Sequence, residues 1–240
     1  DQDTWLQGLG ALVSAAGNPE AVTAVITALI DADQVPTRLG LWQELGRLVL
    51  RLGDRVLAQK LITAAVARFP SEPRVALLHA NQLFASGQPE AALILLEPLS
   101  ERVADDTGLR NALAMLYDAM GQTARAAQVM AQGEQDVQSW SLRASLLVKL
   151  DDQAGLSRFY NELVARVRRP DPAQQLLLGK LAQYLGHFDQ AVRWYRSVPG
   201  GEQRAEAQLR TVNVLYEMGQ ADQAFEQVLV LQGDVTADKL

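Results

Sequence analysis

The sequence predicts an all-α chain, a right-handed α-solenoid built from about seven antiparallel helix-turn-helix units. Three observations lead there. Ala, Leu, Gln, Glu and Arg, all strong helix formers, dominate the 240 residues, while Val and Ile are scattered and never alternate in runs bounded by turn signals. Apolar helical stretches repeatedly stop and restart at once, at Gly17, Gly53, Gly87, Gly121, Asp151, Gly186 and Gly219. Small residues recur at fixed steps from these stops. Upstream they are Gly10, Gly46, Ala80, Ala114, Ala144 and Gly179, with Val212 the exception; downstream lie Val22, Ala58, Ala92, Ala126, Leu156, Ala191 and Ala224.

Taken in order, the units span roughly 3–38, 39–72, 73–106, 107–136, 137–171, 172–204 and 205–240, a period near 34 residues, and together form one domain over 1–240. The first turns at Gly17-Asn18-Pro19-Glu20-Ala21 and the third at Gly87-Gln88-Pro89-Glu90-Ala91. Glycine accepts the left-handed conformation that ends a helix, and Pro19 or Pro89 falls where the next helix needs no amide donor. The fourth and seventh turns repeat the pattern at Gly121-Gln122-Thr123 and Gly219-Gln220-Ala221. Small side chains beside the turns predict close helix approach, with larger residues filling around them. Trp42, Leu45, Val49, Ile62, Leu96, Tyr117, Met130, Trp140, Tyr160, Leu178 and Tyr195 are the expected core, each contributing about 1.5–3 kcal/mol on burial. In the fifth unit Asp151 replaces the turn glycine and Leu156 the small residue, which predicts looser packing or a local bend, and the step from Gly121 to Asp151 is short. A start without Met and an end, Val235 to Leu240, with no clear closing helix suggest a piece of a longer protein.

With Leu41-Trp42, Leu45-Gly46, Gly53, Ala58 and Phe69-Pro70 in place, the second unit resembles a tetratricopeptide repeat, and the resemblance covers nearly the whole chain. The stretch Leu176-Leu177-Leu178-Gly179, Gly186 to Ala191, Trp194-Tyr195, Val198 to Gly201 and Ala207 to Arg210 is similar to one repeat of the large proteobacterial tetratricopeptide lipoproteins. That family includes an adaptor for a periplasmic carboxyl-terminal processing protease, to which it delivers cell-wall hydrolases. The resemblance implies a periplasmic scaffold tethered to the outer membrane; without it, a cytoplasmic location is the expectation. The lipid-bearing Cys of such proteins has no counterpart here, since the chain has no cysteine.

A net charge of -6 argues against a chain-wide phosphate-binding surface, so nucleic acid is not the expected partner. The lack of cysteine excludes thiolate catalysis and disulfide stapling. No apolar stretch reaches the roughly 18–20 residues of a membrane span, so direct membrane insertion is not expected. His79 and His187, the only histidines, lie three repeats apart and predict no shared metal or acid-base site. Asp105-Asp106 and Asp151-Asp152 sit between helices, where carboxylates cap helix starts. No enzyme activity, metal or cofactor is expected.

Binding is the better-supported class, because stacked hairpins line an extended concave surface with their first helices. The residues expected on that surface are Gln43, Arg47, Arg51, Arg74, Asn81, Phe84, Asn111, Met115, Ser145, Lys149, Lys180, Gln183, Tyr184, Asn213 and Tyr216, with Asp118 and Ser141 beside them. Gln43, Arg47 and Arg51 recur at four-residue steps and share a face suited to a partner carboxylate. Asn is a mediocre helix former, so Asn81, Asn111 and Asn213 suggest bonds to the main chain of an extended ligand. The expected partner is a protein or peptide, a periplasmic protease or cell-wall hydrolase if the lipoprotein resemblance holds. The competing reading is homo-oligomerisation through the repeat ends or the convex face.

Overall fold

The computed structural model describes residue 8 and residues 19–32, 38–133 and 135–237, which contain fourteen helices and no strand. Gly10 and Gly17, read above as the first small position and the first turn, lie outside the described residues. The chain divides into two compact units, 1–116 and 117–240. In the first, α1 (Pro19–Asp31) is followed by the hairpin α2 (Leu39–Leu52) and α3 (Arg55–Arg68), then by α4 (Pro73–Ala85) and α5 (Pro89–Leu96). The division falls inside α7 (Thr107–Ala119), which follows the short α6 (Leu99–Arg102). The second unit holds α8 (Thr123–Met130) and three further hairpins. These pair α9 (Val137–Lys149) with α10 (Gln153–Arg166), α11 (Pro172–Tyr184) with α12 (Phe188–Ser197), and α13 (Glu202–Glu217) with α14 (Ala221–Ala237).

The turns repeat one bonding scheme. At Gly87 (φ 76°) its amide donates to the Phe84 carbonyl at 3.0 Å and the Gln88 amide donates to Leu83 at 2.9 Å. This pair satisfies two carbonyls that the end of a helix leaves free. The same two bonds recur at Gly121, Asp151, Gly186 and Gly219. Asp151 is the one non-glycine there, at φ 54°. Side chains in that conformation carry a steric cost of about 1–2 kcal/mol, partly relieved for Asp. Asp151→Gly is therefore expected to stabilise the protein by about 0.5–1 kcal/mol after the added chain entropy is subtracted. A urea midpoint no higher than wild type would contradict that account.

Five helix starts are fixed by carboxylates. Asp54, Asp106, Asp136, Asp152 and Asp171 each accept from the backbone amide three residues on, at 2.7–3.0 Å. Asp171 and Gln174 cap each other reciprocally. Asp106 and Asp152 thus have the capping role expected of the paired acids. The short step from Gly121 to Asp151 has a local cause, since α8 is only eight residues long and the chain reverses at Gly133 (φ 66°) before Asp136 opens α9.

Each unit has its own core. Ten of the eleven expected core residues are buried, with Tyr195 2% and Met130 0% exposed. Ile62 is the exception and stays half-exposed. In the first unit Trp42 meets Phe69 edge-to-face at 5.9 Å. Leu156, for all its size at a small-residue position, is buried, 1% exposed within the core of the second unit. At the small positions the structure separates two glycines that look equivalent. A Cβ on Gly179 would lie 2.4 Å from Cε1 of Tyr195, so close approach demands glycine there. A Cβ on Gly46 would meet nothing within 4 Å, so close approach does not explain that glycine. The end of the chain also differs from expectation, as α14 continues to Ala237, carried past Gly233 by the helix formers before it.

Candidate partner-binding surface

All fifteen residues expected to bind a partner lie on the first helices of hairpins, and each is exposed or half-exposed. The helix period puts them there: the buried side of α2 is Trp42, Leu45, Leu48 and Val49, which leaves Gln43, Arg47 and Arg51 on the other side. The exposed apolar members are Met115 (62%), Tyr184 (45%) and Tyr216 (74%).

Within the first unit the structure brings Gln43, Arg47 and Arg74 together around an apolar cavity of about 410 Å³ between α2, α3 and α4. Arg51 lies one turn beyond Arg47. Asn81 and Phe84 are farther along α4, while Asn111 and Met115 stand on α7; none of these four lines that cavity. Within the second unit Ser141 and Lys180 line a separate cleft of about 330 Å³ with Glu202 and Glu206. Asn213 and Tyr216 are outside that cleft on α13.

Several of these groups already hold each other across neighbouring first helices. Lys149 reaches Asp118 at 2.7 Å, Lys180 reaches Glu206 at 2.8 Å, and Arg74 reaches Asp106 at 3.4 Å. Gln183 donates to Glu217 at 3.4 Å and accepts from the Tyr195 hydroxyl at 2.9 Å. The hydroxyls of Ser141 and Ser145 donate to carbonyls of their own helix. Sequence alone marked these side chains as exposed but could not show which neighbouring acid each would meet. It also missed Gly46, Ile62 and Leu78 as cavity walls, and the exposed Phe225, Leu229 and Val230 on α14.

The ion pairs shift the acids they contain. The Lys149 ammonium bonded to it, and then the Thr123 hydroxyl, hold the Asp118 carboxyl below the ordinary carboxylate range. The Lys180 ammonium does the same for Glu206, opposed by burial and reinforced by Arg210. A carboxylate whose pKa is lower in the folded than in the unfolded chain stabilises the fold above its unfolded pKa of about 4, and loses that contribution as pH falls through the folded value. Unfolding stability should therefore fall as pH drops below about 4, and Asp118→Asn should flatten its share of that slope. At neutral pH the same change should cost at most about 1 kcal/mol, since Lys149 is more than half-exposed. Urea titrations at several pH values test both statements.

His187 is the residue preceding α12, its ring 5.9 Å from that of Tyr160, and His79 is half-buried on α4. Among the described residues no three His, Asp or Glu side chains converge on a metal-sized site, and no helix is long and apolar enough to cross a membrane.

No protein-family model matches the chain, and no curated protein matches it. Solved structures do. The Naa15/Naa10 complex bound to HypK-THB contains a chain 18% identical over 78% of this one, with a TM-score of 0.50. That similarity shows a shared fold. The fold is a tetratricopeptide-like array of helical hairpins. Two further similarities are to Pseudomonas aeruginosa pilF, at 15% identity, 86% coverage of this chain, 92% of that chain and a TM-score of 0.49, and to the APC/C hetero-tetramer Cut9–Hcn1. The last is 15% identical over 92% of this chain, with a TM-score of 0.42. The match spans 30% of the Naa15/Naa10 chain and 45% of the Cut9–Hcn1 chain.

Proposed function

We propose that this chain is a non-enzymatic interaction scaffold that binds a partner protein or an extended peptide on the exposed side of its first helices. The observation that carries this reading is that Gln43, Arg47 and Arg74, on two successive first helices, line an apolar cavity of about 410 Å³ open to solvent. Such arrays place their conserved framework inside and their specificity on surface side chains. The finer identity, an adaptor for a periplasmic carboxyl-terminal processing protease that presents cell-wall hydrolases, rests on the resemblance within residues 176–210. Capture from source-cell extract with the chain as bait, against an Arg47→Glu/Arg51→Glu variant, tests both levels. Recovery of such a protease or hydrolase, lost on charge reversal, supports the adaptor. Recovery of no protein by the wild-type chain sinks the scaffold itself.

Self-association is the second reading. It is favoured by Phe225 (64% exposed), Leu229 (52%) and Val230 (50%), which place an uncovered apolar face on α14. Sedimentation that shows a monomer at high concentration would remove it.

A further inference from the structure

We propose that the cavity between α2, α3 and α4 is a receptor for a partner peptide in which one bulky aliphatic or aromatic side chain is flanked by carboxylates; this rests on the scaffold reading above. Here about 410 Å³ remains open, inside the roughly 300–1,000 Å³ range of ligand pockets. Its walls are apolar, including Trp42, Val75 and Leu61, and it keeps Ile62 half-exposed and Leu78 53% exposed. Gly46 and Ala58 leave the space unfilled from α2 and α3, and nothing stands within 4 Å of where a Gly46 side chain would begin. The fold does not need glycine at that point, but an incoming side chain does.

The rim supplies the second half of the specificity. Arg47 and Arg74 stand at the cavity with Gln43 between chemistries, its amide able both to donate to and accept from a peptide main chain. Residues 38–79 carry seven basic and three acidic side chains, net +4, in a chain whose total is -6, with Asp31 and Asp106 from outside the stretch paired to Lys60 and Arg74. Arg47 bonds Glu44 at 2.6 Å and Arg74 bonds Asp106 at 3.4 Å, all four side chains well exposed. Exposed pairs of this kind are weak, so a ligand carboxylate can exchange into them. Arg51 has no ion-pair partner among the described residues, and a guanidinium favours a carboxylate it can grip with two donors.

The test is an array of peptides about 12 residues long, each with a central Leu or Phe flanked by Glu, beside matched arrays with Lys flanks or a central Ser. The wild-type chain should prefer the Glu-flanked apolar peptides about tenfold or more over the central-Ser control, as burial of one apolar side chain implies, and should bind the Lys-flanked set more weakly through repulsion from the rim arginines. Gly46→Leu projects a side chain into the cavity from a helix interior where a Cβ meets nothing within 4 Å, so it should melt no lower than wild type yet lose that preference. Leu78→Glu, a surface change, should lose it by repulsion and guards against misfolding of the first variant. Equal binding to all arrays, no binding, or binding untouched by both variants overturns the proposal. Displacement of the peptides by dodecanoate at equal concentration would overturn it in favour of an acyl ligand, and dimerisation abolished by Gly46→Leu in favour of a second copy. Partner capture that survives Gly46→Leu removes the cavity from the model while leaving the scaffold reading intact.

Discussion

Tyr195→Ala should destabilise the second unit by about 3–5 kcal/mol, the range for deleting a fully buried aromatic ring. The ring is 2% exposed, lies against Gly179 and sends its hydroxyl to Gln183, tying α12 to α11 at two levels. Burial of that hydroxyl also pushes its pKa up to about 12, so the phenol remains a neutral donor at every pH at which the protein is ordinarily handled. Urea unfolding measures the total loss. Hydrogen exchange should place it in α11 to α13, because elements of a repeat array depend chiefly on their neighbours. A loss below about 1 kcal/mol would mean that the site collapses around the missing ring.

Gly179→Ala should cost about 1–3 kcal/mol even though alanine is the better helix former. The added methyl would sit 2.4 Å from Cε1 and 2.5 Å from Cδ1 of Tyr195, against a ring that packing and its hydrogen bond hold in place. In the Tyr195→Ala background the obstruction is gone, and the same substitution should become neutral or gain up to about 1 kcal/mol from helix propensity. Gly46→Ala should show that gain in the otherwise wild-type chain. Simple additivity of the two changes at 179 and 195 would refute the steric account.

These glycines show where the sequence was legible. The stops at Gly87, Gly121, Gly186 and Gly219 could be read directly, because a left-handed residue followed by a helix start leaves a local signature. Asp151 kept the position while losing the residue type, and the bonding scheme survived the change. Gly46 and Gly179 share their place in the repeat, yet only one faces a ring. That difference depends on the separation of neighbouring helices, a tertiary quantity without a local signature. Ile62 was assigned to the core on the same local grounds and is half-exposed for the same tertiary reason. Among the surface residues, helix periodicity gave exposure correctly for Lys149 and Lys180. Their pairing with Asp118 and Glu206 requires knowing which turns of successive first helices face each other.

The uneven distribution of charge has a kinetic consequence. Residues 38–79 carry +4, leaving -10 for the remainder of the chain. An acidic segment diffusing in is drawn toward the basic side chains of this stretch, which biases its encounters before any contact forms. Steering of this kind acts on the association rate and fades over a Debye length of about 8 Å at physiological ionic strength. Added salt should then slow the arrival of acidic ligands far more than it hastens their departure, and basic ligands should show no such brake.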